Sequence, residues 1–162
     1  MKNTQPRIEI SPRQTDRFLD VASWFVLVAV WTVALYGIAT LPDTIATHFN
    51  FHGEPDGWGS PLFLLFMPVV ATLLVPLLTW LNQRPHVFNY HVKITPENAK
   101  EQYLKATRLI RTLKFSTVMV FLGIELMMWL SADGTVRPRA IWMLPAILLL
   151  ILGPVAVYLF SS

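Results

Sequence analysis

The chain contains no cysteine, and charged residues make up only 14% of its 162 positions. The absence of cysteine excludes a disulfide framework, a thiolate nucleophile and a cysteine-ligated metal. Soluble domains usually carry about 25% charged residues, so this sequence has too few charges for an ordinary water-soluble domain. The sequence also lacks the glycine–serine motif of serine hydrolases, a phosphate-binding loop and any recognisable nucleic-acid-binding motif. Nucleic acid is therefore not an expected partner.

Hydrophobic residues, in contrast, make up 54% of the chain and are concentrated in four runs, at about 21–42, 61–81, 115–130 and 140–160. A helix of about 20 residues crosses the hydrocarbon core of a bilayer. The predicted fold is therefore an all-α membrane protein, with residues 1–162 forming a single domain of four transmembrane helices. A cleavable signal peptide is the alternative for the first run. It is disfavoured because the run exceeds the usual 7–15 residues and no small-residue cleavage site follows.

Lysine and arginine are distributed unevenly over the polar segments. Segment 1–20 has four, the 40–60 loop none, the 82–114 connection seven and the 131–139 turn two. The positive-inside rule therefore predicts that both termini are cytoplasmic, with 11 basic residues inside and 2 outside. Nothing breaks a helix between Pro96 and Gly123, so the third helix is predicted to run from Pro96 to about Leu130. Its first part would extend into the cytoplasm.

The 40–60 loop combines two histidines, three carboxylates, three glycines and a tryptophan. Its pattern L-P-x-x-I-x-x-H-F-x-x-x-G-x-x-D-x-W is carried by Leu41, Pro42, Ile45, His48, Phe49, Gly53, Asp56 and Trp58. A second group of polar and aromatic residues lies in the predicted cytoplasmic connection and comprises Asn89, Tyr90, Asn98, Gln102 and Tyr103.

These two motifs resemble the N-terminal membrane domain, of unknown function, of the SdpI-type immunity protein family, whose members protect against a secreted sporulation-delaying toxin. The resemblance covers about residues 20–130. It implies a multi-pass protein of the bacterial cytoplasmic (inner) membrane and no enzymatic activity.

Two interpretations of the loop remain open. The candidate binding residues are His48, His52, Glu54, Asp56, Trp58 and Glu125. His48 and His52 are four residues apart and would share one face of a helix, as zinc-binding histidines do, with Asp56 as an oxygen ligand. Glycine and proline after His52 favour turns instead. The alternative is a structural cap, in which His48 and Asp56 hydrogen-bond the loop to helix ends. The cofactor is thus unassigned, with a divalent metal such as zinc as the candidate.

Glu125 is a carboxylate within a predicted span, about 8–9 Å inside Ser131. A charge at that depth costs several kcal/mol unless it is protonated, paired or hydrated. Glu125 is either a neutral acid hydrogen-bonded to a neighbour such as Tyr36, or a ligand or proton site beneath the loop. We expect His48, Asp56 and Glu125 to lie close together.

In the cytoplasmic connection, Phe88–Thr95 is expected to pack against the foot of the third helix, with Asn98 bonded to its backbone. The basic residues that follow are expected to contact anionic lipid headgroups, and they are Lys100, Lys105, Arg108, Arg111 and Lys114.

The favoured function is non-catalytic recognition, immunity or regulation, in which the outer loop meets a peptide toxin or a membrane-protein partner. The alternatives are a metal-binding membrane enzyme that uses His48, His52 and Asp56, and a proton-coupled transport component that uses Glu125. The lipid bilayer is the expected environment, and a homo-oligomer is compatible with the sequence.

Overall fold

The computed structural model describes residues 5–50, 52, 54–132 and 142–160. These residues are mostly helical. The elements are α1 (Gln14–Thr40), β1 (Ile45–Phe49), β2 (Pro55–Gly59), α2 (Phe66–Asn82), α3 (Ala99–Leu130) and α4 (Met143–Phe160), with 3-10 turns at Pro61–Leu65 and Pro85–Val87.

Three helical stretches are long and apolar enough to cross a membrane, namely α1, the stretch Pro61–Asn82 and α3. The apolar part of α4, Leu144–Phe160, is shorter. With 32 residues, α3 is about 48 Å long, which exceeds the ~30 Å of a hydrocarbon core. The predicted single long helix is therefore present.

Contacts at one end of the bundle bring three helices together. Lys114 of α3 donates through Nζ to an Asp20 carboxylate oxygen of α1 at 2.6 Å and to Thr79 Oγ1 of α2 at 3.0 Å. We call this the basic end. The ring of Tyr158, near the end of α4, meets the ring of His91 edge-on at 5.7 Å, so α4 also ends here.

At the opposite end, which we call the hairpin end, Gly37 of α1 lies against Leu64 and Trp129. A Cβ on Gly37 would be 2.6 Å from Leu64 Cδ1, so a larger residue would require the Leu64 side chain to shift. Residue numbers rise from the basic end to the hairpin end in α1 and α3 and fall in α2. Helices α1 and α3 are therefore parallel, and α2 runs antiparallel to both.

Two apolar clusters fill the bundle between these ends. The central cluster contains Leu27, Ala71, Val75 and Val118. The hairpin-end cluster contains Ala34, Ile45, Leu64, Met128 and Ala132. Burial of such side chains contributes about 25 cal/mol per Å² in water, but in lipid close packing replaces that driving force.

The 40–60 connection corrects the all-α prediction, because β1 and β2 form an antiparallel hairpin. Ile45 lies opposite Gly59, and Ala46 lies opposite Trp58. The alternate positions Ile45, Thr47 and Phe49 are β-branched or aromatic, which suits a strand.

Side-chain hydrogen bonds close the turn of this hairpin. Asn50 Oδ1 accepts bonds from the backbone N–H groups of His52 at 2.9 Å and Glu54 at 3.0 Å. Such local side-chain bonds stabilise the turn because they satisfy its backbone N–H groups.

Helix boundaries also differ from the prediction. Helix α1 begins at Gln14 rather than at 21, because Asp16 accepts a bond from the Arg13 backbone N–H at 2.8 Å and stabilises an earlier first turn. Helix α3 begins at Ala99 rather than Pro96, after a turn in which the Ala99 N–H donates to Thr95 O.

The second predicted helix is divided, since the 3-10 turn at Pro61–Leu65 leads into α2, with Pro68 in its first turn and Pro76 in its interior. Most of the predicted 131–139 turn and the predicted helix start at Ala140 lie outside the described residues.

Candidate functional site

The base of the hairpin is fixed to the helices. Ile45 and Ala46 have no exposed surface, and Ile45 packs in the hairpin-end cluster with Leu64 of the 3-10 turn and Met128 of α3. The start of β1 is therefore part of the bundle core, and Phe49, at the end of β1, also packs against this cluster.

Elsewhere on the hairpin, polar and aromatic side chains are exposed. His48 Nδ1 lies 2.5 Å from Asp56 Oδ1, and these side chains are 72% and 43% exposed. Trp58 is 56% exposed. Gly57 lies opposite His48, and a Cβ there would be 2.9 Å from the His48 Cβ. Glycine is thus required for the strands to approach beside the His48–Asp56 pair.

This geometry differs from both interpretations of the loop. His48 lies in β1 and His52 in the turn, so the two histidines do not share a helix face. Across the described parts of the chain, no group of three histidine or carboxylate side chains is placed to hold a metal. His48 and Asp56 bond each other across the strands, whereas the cap interpretation expected them to bond helix ends.

Glu125 lies inside the bundle with no exposed surface. Neither of its carboxylate oxygens has a hydrogen-bond partner among the described residues. The expected Tyr36–Glu125 bond is absent, because the Tyr36 ring packs on Trp129, with centroids 6.2 Å apart. Strand β1 reaches α3 at Met128, less than one turn beyond Glu125, and the proximity of His48 to Glu125 stays a prediction.

At the basic end, carboxylates of α1 pair with basic residues of α3. Arg108 Nε donates to Asp16 at 3.1 Å, and Arg111 Nε donates to Asp20 at 2.9 Å. Lys114, whose side chain is 1% exposed, also bonds Asp20. Lys105 Nζ also lies 2.8 Å from Glu101 Oε1 on α3 itself. Four of the five basic residues assigned to lipid headgroups therefore have carboxylate partners, which the prediction did not include.

Sequence reasoning missed Asp16 and Asp20, although a signal was present. They are four residues apart on α1 and thus share a face, as do Arg108 and Arg111, which are three apart on α3. Two complementary rows of this kind indicate neighbouring helices. Their parallel direction follows only from the pairs that the structure shows.

The expected packing of segment 88–95 and Asn98 against the start of α3 is confirmed. Asn98 Oδ1 accepts from the Thr95 backbone N–H at 2.8 Å, and Asn98 Nδ2 donates to Lys93 O at 2.9 Å. The Tyr90 ring lies on the Tyr103 ring at 5.5 Å, and Tyr90 donates its hydroxyl proton to Pro85 O. Burial raises the pKa of the Tyr90 phenol above its usual value.

The N-terminal segment joins this motif, which sequence reasoning did not predict. Tyr103 donates its hydroxyl proton to Pro6 O at 2.9 Å, and Gln5 Nε2 donates to Phe88 O at 3.0 Å. A cavity of about 410 Å³ remains between residues 8–12, the end of α2 and α3. A second cavity, of about 360 Å³, is lined by Asn89 and Tyr158 among others. Gln102 is buried.

These features define a helical membrane protein with a β-hairpin at one end and paired charges at the other. Residues 25–72 match a family described as "Domain of unknown function (DUF1648)". This match starts within α1, includes the whole hairpin and ends within α2.

One curated relative is an "Uncharacterized protein" of Archaeoglobus fulgidus, 32% identical over 68 residues. The match covers 37% of this chain and 37% of the relative, so the chain corresponds to little more than a third of that protein. No solved structure matches the chain.

Proposed function

We propose that this chain is an integral protein of the bacterial cytoplasmic membrane that crosses the bilayer four times, with both termini inside and the hairpin outside. The split of 11 basic residues against 2 supports this orientation. The alternating directions of α1, α2 and α3, and the return of α4 to the basic end, are what four successive crossings require.

Cysteine labelling tests this topology directly, because the natural chain has no cysteine to give background. Glu54→Cys, in the hairpin, is expected to react with a membrane-impermeant thiol reagent in intact cells. Lys93→Cys is expected to react only after permeabilisation. Reaction of both from the same side would refute the proposed orientation.

The proposed role is non-catalytic recognition at the outer surface, of the immunity type that the resemblance to SdpI proteins implies. One observation carries it: the hairpin is anchored by buried Ile45 and Ala46 while His48, Asp56 and Trp58 stay exposed. Binding sites typically place aromatic and charged side chains on a rigid support. The proposed ligand is a secreted peptide toxin or the outer part of another membrane protein.

A deletion strain challenged with the peptides that its own species secretes tests this role. The natural protein is expected to restore survival, and Trp58→Ala is expected to fail at equal membrane abundance. The matched control is Trp80→Ala, because Trp80 is 48% exposed but lies at the basic end. A deletion strain that survives normally would refute immunity. Full rescue by Trp58→Ala would refute recognition through the hairpin.

A further inference from the structure

One face of α3 carries a regular row of buried or half-buried side chains that includes two ionisable groups. The row consists of Lys114, Val118, Phe121, Glu125 and Met128, spaced three or four residues apart. Lys114 has two hydrogen-bond partners, whereas neither Glu125 oxygen has one among the described residues. Native proteins rarely leave a buried carboxyl in this state without a function.

Apolar groups lie on both sides of Glu125 along this row. Towards the basic end, Val118 packs with Leu27 and Val75 in the central cluster. Towards the hairpin end, Met128 packs with Ile45. Because Glu125 has no exposed surface, no hydrated ion or organic molecule reaches its carboxyl in this arrangement. A proton needs no such space.

Few other titratable groups lie on the elements that pack against this part of α3. Among the described residues, α1 contributes Tyr36, and the hairpin contributes the four groups His48, His52, Glu54 and Asp56. Helix α2 has none between Phe66 and Asn82, and α4 has none before Tyr158, which lies at the basic end. No described cation neutralises Glu125, so protonation is the remaining way to remove its charge.

Glu125 is enclosed by an apolar cluster on each side along α3, and these two closures differ in strength. The central cluster joins three long helices, α1, α2 and α3. The hairpin-end cluster also contains Ala34 of α1 and Met128 of α3, but Ile45 comes from β1 of a two-stranded hairpin, an element that is marginally stable by itself. An ionised Glu125 needs water or a donor, and the hairpin is the closure that opens at lower cost.

We propose that Glu125 is a proton-binding site covered by the hairpin, and that loss of its proton releases Ile45 and Ala46 from the bundle. The hairpin is docked while Glu125 is protonated and undocked when Glu125 is ionised. Outer pH thus controls how the His48–Asp56 face is presented. This inference rests on the proposed outward orientation of the hairpin, but it needs no recognition partner and stands apart from the proposed immunity role.

Infrared difference spectroscopy of the protein in lipid nanodiscs tests proton binding. The natural protein is expected to show a protonated-carboxyl C=O band that disappears as pH rises. Glu125→Gln is expected to lack the band, and Glu101→Gln, in an exposed part of α3, is expected to keep it. A spectrum without a band that depends on Glu125 at any pH overturns the proposal.

Thiol accessibility in the same nanodiscs tests the release of the hairpin. Ala46→Cys replaces a buried side chain, and Trp58→Cys replaces an exposed one, so the ratio of their labelling rates cancels the titration of the thiol itself. This ratio is expected to rise with pH by up to about tenfold per pH unit, the limit for coupling to one proton.

Two variants identify the group responsible. The rise in the labelling ratio is expected to vanish in Glu125→Gln and to persist in His48→Ala. A rise that persists in Glu125→Gln, or a ratio that does not change with pH in the natural background, overturns the coupling. Either result leaves the survival assay with Trp58→Ala unaffected, so the two proposals can fail separately.

Discussion

Lys114 and Glu125 lie on the same face of α3, about 16 Å apart along the helix axis, and both are enclosed by protein. At the basic end, Lys114 is held by Asp20 and Thr79. Nearer the hairpin, Glu125 has no described partner. Burial therefore does not distinguish these two ionisable groups, whereas hydrogen bonding does.

The largest expected effect concerns Asp20, the carboxylate that pairs with Lys114 and Arg111 at the basic end. Asp20→Asn leaves Lys114 and Arg111 without their carboxylate, and removing one partner of a buried pair is expected to lower the free energy of unfolding by about 3 kcal/mol. Denaturant titration in detergent micelles measures it. Asp43→Asn, in an exposed position, is the control. Equal stability of the two variants would show that Lys114 does not need its partner.

A second change tests how firmly the hairpin is built. Gly57→Ala places a Cβ 2.9 Å from the His48 Cβ, and such overpacking is expected to cost about 2 kcal/mol. Faster proteolysis within 45–59 is the readout. Gly123→Ala on α3 meets no neighbour and is expected to be neutral or stabilising because alanine favours helix. If Gly57→Ala resisted proteolysis as well as Gly123→Ala, the hairpin would not require glycine at position 57.

The third prediction is a change of opposite sign on the same face of α3. Glu125→Met removes an unpartnered carboxyl and is expected to raise the free energy of unfolding by about 1 kcal/mol, since apolar replacement of buried ionisable groups is often stabilising. Lys114→Met, in contrast, is expected to lower it because Asp20 loses a partner. Thermal denaturation of both variants in nanodiscs measures the signs. Destabilisation by Glu125→Met would indicate a partner for this carboxyl.

The smallest expected effect is pH-dependent and lies at the basic end. Burial raises the pKa of Tyr90 above its usual value, so its contribution is complete below about pH 10 and is lost as pH rises further. Tyr90→Phe is expected to cost about 1 kcal/mol below that pH, through loss of its hydrogen bond to Pro85, and less above it. Tyr36→Phe is the control. If the free energies of unfolding of the natural protein and of Tyr90→Phe differed by the same amount at high pH as at neutral pH, the assignment would be contradicted.

The sequence predicted the helical elements well because long apolar runs and charge asymmetry are local properties. The spans of α2 and α3, and the contact between Asn98 and the preceding backbone, needed only composition and helix-start chemistry. The paired charges were not predicted, because the pairing of Asp20 with Lys114 depends on which helix faces which.

The sequence predicted which residues form the candidate site but not how they are arranged. The motif singled out His48, Asp56 and Trp58, yet a pairing across two strands depends on register. Here the register includes irregularities on either side of His48, and no pattern in the sequence specifies them. The isolation of Glu125 likewise depends on neighbours from three helices and the hairpin.

The parallel course of α1 and α3 has a consequence for synthesis of the protein. Asp20 leaves the ribosome long before Lys114. Helix α2, which lies between them in the sequence, must enter the membrane before the two residues can meet. In the proposed orientation both stay on the cytoplasmic side, so neither charge has to be carried through the lipid. In that orientation the hairpin is translocated early, and it contains no lysine or arginine to retain it. The ion pairs at the basic end thus lock a topology that the first two helices have already selected.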